Sequence, residues 1–140
     1  MSASKGEAAH KLTRRVIAAV IARDGKLLLC LRPAHKRHGG LWEFPGGKMQ
    51  AGETILDAVR RELAEELGVE ALSVGEVHLS VPDPGSTFVI DFVEATIQGI
   101  PSSTEHPEIA WVEAERLIDL PLAPSDRVFA EHLLSRLRTG

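Results

Sequence analysis

Residues 54–68 constrain this chain more than any other stretch, because they are written as a helix with both ends marked. Thr54 followed by Asp57 has the form of a capping box, in which each residue's side chain satisfies the other's free backbone N–H. Gly68 suits the left-handed position that closes a helix, so the helix is expected over residues 54–67. With Glu62 at zero on a helical wheel, Glu65 falls at about −60° and Glu66 at about +40°, and three carboxylates share one face. Ile55, Val59, Leu63, Leu56 and Leu67 follow at about 20°, 60°, 100°, 120° and 140°. Glu66 thus lies inside the apolar arc and Glu62 on its border. A solvated acidic face accounts for Glu65. It accounts poorly for Glu66, since a buried carboxylate is costly unless it is paired or binds a cation, and clustered like charges repel. A hard divalent cation, which takes carboxylate oxygens together with substrate phosphates and water, removes both costs. On wheel geometry alone both readings stay open.

Around this helix the pattern is mostly strands. Residues 16–22 are β-branched and alanine-rich, residues 26–31 form a second apolar run, and Asp24-Gly25 between them is a hairpin signal. A polar, basic connection over residues 33–40 leads to a short apolar piece, 41–44, and Pro45-Gly46-Gly47 is expected to break any regular element. Residues 69–81 read as a strand, residues 82–85 as a turn, and residues 87–97 as a strand with Phe88, Ile90 and Phe92 spaced by two. A loop over 99–107, a strand near 109–112, a short helix over 113–120 and a final helix capped by Ser125 complete the chain. This order implies an α+β fold, or a mixed-sheet α/β/α sandwich.

The chain's 140 residues fit one domain, expected over residues 12–140 behind a disordered tail of residues 1–11. A net charge of −4 argues against a duplex-binding surface, which normally carries a clustered basic excess, so no stable nucleic-acid partner is expected. The start of the sequence has no apolar segment of signal-peptide type, and the run 16–22 is too short to span a bilayer. No membrane association is expected, and the default location is cytoplasmic. The single cysteine, Cys30, sits in an apolar run and reads as a buried small hydrophobe, with a catalytic thiol as the lesser alternative.

Gly47, Glu53, Arg61-Glu62-Leu63, Glu65-Glu66 and Gly68-Val69 match the Nudix box at every defined position, and Leu41-Trp42-Glu43-Phe44-Pro45-Gly46-Gly47-Lys48 before it resembles the MutT-type subgroup. The resemblance implies a Nudix fold and Mg²⁺-dependent hydrolysis, with Mn²⁺ as a substitute. It implies Glu62, Glu65, Glu66 and the Gly47 carbonyl as metal ligands, with Glu105 as a further loop glutamate near the metals or a solvated loop acid. Arg61 would pair with Glu53 to hold the loop against the helix, or Glu53 would help to activate water. Arg32, Lys36 and Arg37 flank the site in sequence and either hold phosphates or are surface cations.

The same resemblance makes Phe44, with Trp42 beside it, a candidate for the base pocket. In the 8-oxoguanine enzyme the loop before the last helix carries an asparagine, whereas here it reads Pro121-Leu122-Ala123-Pro124-Ser125-Asp126, closer to related CTP pyrophosphohydrolases. Asp126 either reads an exocyclic amine or favours the helix start electrostatically. The implied function is hydrolysis of oxidised dNTPs such as 8-oxo-dGTP to the monophosphate and pyrophosphate. Alternatives are CTP or dCTP, then ADP-ribose or dinucleotides, and last a non-catalytic nucleotide-binding domain. The protein is expected as a monomer or homodimer with a small-molecule nucleotide as its substrate.

Overall fold

The computed structural model describes residues 14–139, and the tail expected over residues 1–11 lies outside them. Strands β1 (Arg14–Arg23) and β2 (Lys26–Leu31) form the expected hairpin. Asp24 (φ 54°) and Gly25 (φ 76°) both adopt the left-handed conformation that a type I′ turn requires, and Ala22 and Arg23 pair antiparallel with Leu27 and Lys26.

β1 also runs parallel to β6 (Phe88–Gln98), from Arg14 opposite Phe88 to Ile21 opposite Ala95. The sheet is therefore mixed, and its order is β3 (Trp42–Glu43), β2, β1, β6, β5 (Glu70–Pro82). Strand β4 (Gly46–Lys48) adds to β1, and β7 (Ile109–Glu113) adds to β2. β1 is buried on both faces from Ile17 to Ile21, as a strand covered from both sides should be.

β4 corrects one expectation. Pro45-Gly46-Gly47 does not break regular structure, because Gly46, Gly47 and Lys48 pair antiparallel with Ala18, Ile17 and Val16. The glycines permit this close approach, since a Cβ on Gly46 would strike the Ile17 carbonyl.

Helix α1 (Ile55–Leu67) has both expected ends. Thr54 Oγ1 accepts from the Asp57 N–H, the Thr54 N–H donates to Asp57 Oδ2, and Gly68 closes the helix at φ 65°. The segment expected as a short helix over 113–120 is a 3₁₀ helix (Ala114–Asp119). Helix α2 (Pro124–Thr139) starts one residue before the expected cap. Pro124 takes the first helical position, where its missing N–H costs nothing, and the Arg127 N–H donates to the Ala123 carbonyl. Ser125 is therefore not a cap. It lies inside the first turn, 2% exposed, with its hydroxyl unpartnered.

Each helix covers one face of the sheet. Ala58, Val59, Leu63 and Leu67 of α1 pack on Ile17, Ala19 and Ile21. Phe129 and Ala130 of α2 pack with Ala18, Val20 and Phe44 on the other face, where Phe92 and Phe129 stack at 4.5 Å. Alternating β1 residues thus feed two cores, which is the sandwich the element order implied. Cys30 is fully buried in the α1-side core, and burial pushes its thiol well above the ordinary range. No helix among the described residues is long and apolar enough to cross a membrane.

Candidate active site

Arg61 organises the start of the site. Its Nε and Nη2 donate to the two carboxylate oxygens of Glu53 at 2.6 and 2.9 Å, a bidentate pair. Nη2 also donates to the Lys48 carbonyl, and Nη1 donates to Glu62 Oε1 at 2.7 Å. Glu53 Oε1 accepts from the Gln50 N–H as well. The Arg61 guanidinium first, and the Gln50 amide second, hold the Glu53 carboxyl down to about 2. The structure therefore ties the loop after β4 to α1 through this pair, and both Glu53 oxygens are occupied.

The remaining α1 carboxylates have different surroundings. Glu62 lies against Gly47, where a Cβ would collide with its carboxylate. Glu65 stands 3.6 Å from Arg61 Nη1 with its side chain 59% exposed. Glu66 is 8% exposed, as its place in the apolar arc required, and its Oε2 has no hydrogen-bond partner. Burial raises the Glu66 pKa most strongly, followed by the neighbouring Glu62 carboxylate and by Glu43 and Glu105.

Glu62 and Glu66 border a cleft of about 700 Å³. Gly47, Glu62, Glu66 and Glu105 line it together with Arg32, Lys36 and Arg37 from the basic connection, and with Phe44 and Asp126. Most of the residues singled out in the sequence thus meet around one space. Glu53, Arg61, Glu65 and Trp42 do not line it. Trp42 packs against the α2-side core, its backbone N–H donating to the Pro121 carbonyl and its own carbonyl accepting from Ala123, so its main chain holds the last loop.

Other candidates are engaged in ways the sequence did not disclose. Phe44 lines the cleft, 3% exposed and with its ring in T-shaped contact with Phe92 and Phe129. Arg32 donates to Glu43 Oε1 and to the Arg37 carbonyl, both at 2.7 Å. Arg37 reaches the β5–β6 turn, donating to Asp83 Oδ2 and the Pro84 carbonyl. Lys36 is exposed and makes no ion pair among the described residues. Asp126, 6% exposed, accepts the Phe44 N–H at 2.9 Å across the β3–β4 segment. Burial pushes its carboxyl up to about 8, against the opposing effect of that amide.

Glu43 and His106 are cleft residues to which the sequence reading gave no role. Glu43 sits between Arg32 and the buried ring of His106, whose Nε2 is 3.7 Å from Glu43 and 3.6 Å from Glu66. The available signal was adjacency alone, since Glu43 precedes Phe44 and His106 follows Glu105.

Among the described residues no three His, Cys, Asp or Glu side chains converge as they stand to hold a metal ion. Arg61 explains part of this, because it turns Glu62 toward itself. The donor set nevertheless fits a hard divalent cation: the Glu62 carboxylate against the Gly47 backbone, and one buried oxygen on Glu66 lacking any donor.

The sequence matches the NUDIX domain over residues 11–133. A protein of Escherichia coli strain K12 named CTP pyrophosphohydrolase is 42% identical over 114 residues, spanning 79% of this chain and 84% of that protein. The 8-oxo-dGTP diphosphatase of Haemophilus influenzae is 32% identical over 125 residues, spanning 86% of this chain and 91% of its own. The crystal structure of a MutT NUDIX hydrolase from Burkholderia pseudomallei aligns with a TM-score of 0.74 at 30% identity, covering 85% of this chain and 96% of that one. Such hydrolases generally depend on a divalent metal. An intact box on a capped helix, a cleft lined by its carboxylates and relatives that match over most of their length agree: the chain belongs to the NUDIX family and is a MutT-like hydrolase.

Proposed function

We propose that this enzyme is an Mg²⁺-dependent nucleoside triphosphate pyrophosphohydrolase that converts oxidised dNTPs such as 8-oxo-dGTP to the monophosphate and pyrophosphate. The observation that carries it is the buried, unpartnered oxygen of Glu66, a residue that lines the cleft with Glu62 and Gly47. Glu62, Glu65, Glu66 and the Gly47 carbonyl would hold the cation. Bound there, Mg²⁺ supplies charge neutralisation on the phosphates and a more acidic water.

The rest falls to this chain's own groups. In the displacement, a water oxygen bonds to a phosphorus, the bond to the bridging oxygen breaks, and pyrophosphate leaves with the electron pair. Glu105 is the better acceptor for the water's proton. It is exposed on the cleft, whereas Glu53 is held down to about 2 with both oxygens occupied by Arg61. Lys36 and Lys48 are cleft cations suited to the outer phosphates. Arg32 acts by fixing Glu43, and Arg61 with Glu53 fixes the loop.

Asp126 supports a second reading, in which CTP or dCTP is the substrate. A carboxyl near its midpoint at neutral pH can both accept from an exocyclic amine and donate to a ring nitrogen. The Escherichia coli relative's name points the same way. A panel of 8-oxo-dGTP, dGTP, CTP and dCTP with Mg²⁺, read for monophosphate and pyrophosphate, tests both. Monophosphate with intact pyrophosphate is expected. Nucleoside diphosphate with orthophosphate as the only products would overturn the assignment.

A further inference from the structure

The loop between β6 and β7 carries a small relay that the reaction as described does not use. Ser103 Oγ accepts from the backbone N–H groups of Glu105 (3.2 Å) and His106 (2.9 Å). A hydroxyl oxygen has two lone pairs, so both are taken and its hydrogen is left for a third partner. That partner is His106 Nδ1, 3.0 Å away. Nδ1 is therefore the accepting nitrogen, and the imidazole carries its hydrogen on Nε2.

Nε2 stands 3.6 Å from Glu66 Oε1 and 3.7 Å from Glu43 Oε2, with the ring only 6% exposed. Both distances exceed a direct hydrogen bond by about half an ångström, so a small approach of either carboxylate completes one. Neither Glu66 oxygen has a donor at hydrogen-bond distance as it stands, and Oε2 is the one fully buried.

We propose that His106 is a positioning residue: its Nε2–H, fixed by Ser103, holds Glu66 by Oε1 so that Oε2 is presented to a divalent cation. It also links Glu66 to Glu43, and through Arg32 to the basic loop at the cleft. Hydrogen bonds to the far side of a metal ligand orient that ligand, and losing one costs about 10–100-fold in metal affinity. The inference rests on Glu66 being a metal ligand, as proposed above.

The test is Mn²⁺ binding without nucleotide, read from the electron paramagnetic resonance signal of the free ion, alongside thermal melting. His106→Leu keeps the volume and removes the donor. His106→Gln places an amide nitrogen as many bonds from Cβ as Nε2. His106→Leu is expected to weaken Mn²⁺ binding about 10–100-fold without lowering the melting temperature, and His106→Gln to recover most of that loss. Ser103→Ala, which frees the ring hydrogen to sit on either nitrogen, is expected to fall between and decides the matter if His106→Leu does not fold. Parent-like Mn²⁺ affinity in His106→Leu or Ser103→Ala, or equal losses in the Leu and Gln variants, would overturn the proposal. Glu66→Gln serves as the reference. If it loses Mn²⁺ while His106→Leu does not, only the role of His106 fails. If it binds like the parent, the metal-ligand reading of Glu66 fails and this inference with it.

Discussion

Helices α1 and α2 each deliver one buried carboxylate to the same cleft, and the two are equipped differently. Glu66 is 8% exposed and Asp126 6%, and burial is the first cause of a raised pKa in both. Asp126 accepts a backbone N–H from Phe44, so its cost of burial is partly offset by a hydrogen bond within the fold. Glu66 leaves an oxygen with no donor, among other carboxylates. A fold does not gain stability from such a group. The difference separates a carboxylate that folding itself satisfies from one that needs an outside cation.

The largest effect that would break this contrast is at Glu66. Glu66→Gln keeps the size and removes the charge. Turnover is expected to fall by more than the roughly 10–100-fold that changes around a metal ligand cost, while the melting temperature of the metal-free protein stays level or rises. Near-parent turnover in a folded variant would show that the orphaned oxygen has no part in the reaction.

Asp126 gives the next effect, in stability. Its folded value of about 8 lies above its ordinary 3.8, so the folded state holds the proton more tightly. Its contribution is therefore full below a pH of about 4 and is lost as pH rises through about 8. Asp126→Asn, which still accepts the Phe44 N–H, should flatten that decline in denaturant titrations of the metal-free protein. Glu53 works in the opposite sense: held at about 2 from 4.5, it contributes above about pH 4.5 and loses this as pH falls through about 2. An unchanged slope in Asp126→Asn would mean that the carboxyl is better solvated than its burial implies.

The same substitution addresses base choice. If Asp126 reads the base, kcat/KM should change selectively among 8-oxo-dGTP, dGTP, CTP and dCTP, because Asn has a fixed donor and acceptor. A uniform change across all four would leave Asp126 only its contact with Phe44. The smallest expected effect is at its neighbour. Ser125→Ala removes a buried hydroxyl that has no partner, so stability should change by less than about 0.5 kcal/mol or improve. A loss well above that would mean the hydroxyl does have a partner in solution.

What could be read in advance follows the range of the interactions. α1 was legible because its capping box, its closing glycine and the burial of Glu66 are set within one helix. The Asp24-Gly25 turn was legible for the same reason. β4 was missed, since pairing between two glycines and β1 depends on a distant strand. Ser125 was misplaced because Pro124 is also a good helix start. The packing of the Phe44 ring against the stacked Phe92 and Phe129 is set by residues far along the chain, as is the Asp126 contact. Resemblance supplied the residue types of the cleft. It did not show that Arg32 and Arg37 are already bound to Glu43 and Asp83, nor that a histidine faces Glu66.

Cys30 lies in the strand that ties Glu43 to the rest of the sheet: it pairs with Glu43 of β3 on one side and Ile109 of β7 on the other. It is the chain's sole thiol, fully buried and kept protonated. A maleimide dye can therefore attack only molecules in which the α1-side core over β2 has opened, and the modification rate reports those openings. One unmodified native cysteine thus acts as a built-in clock for opening of the core beneath α1, readable with and without nucleotide and requiring no engineered label.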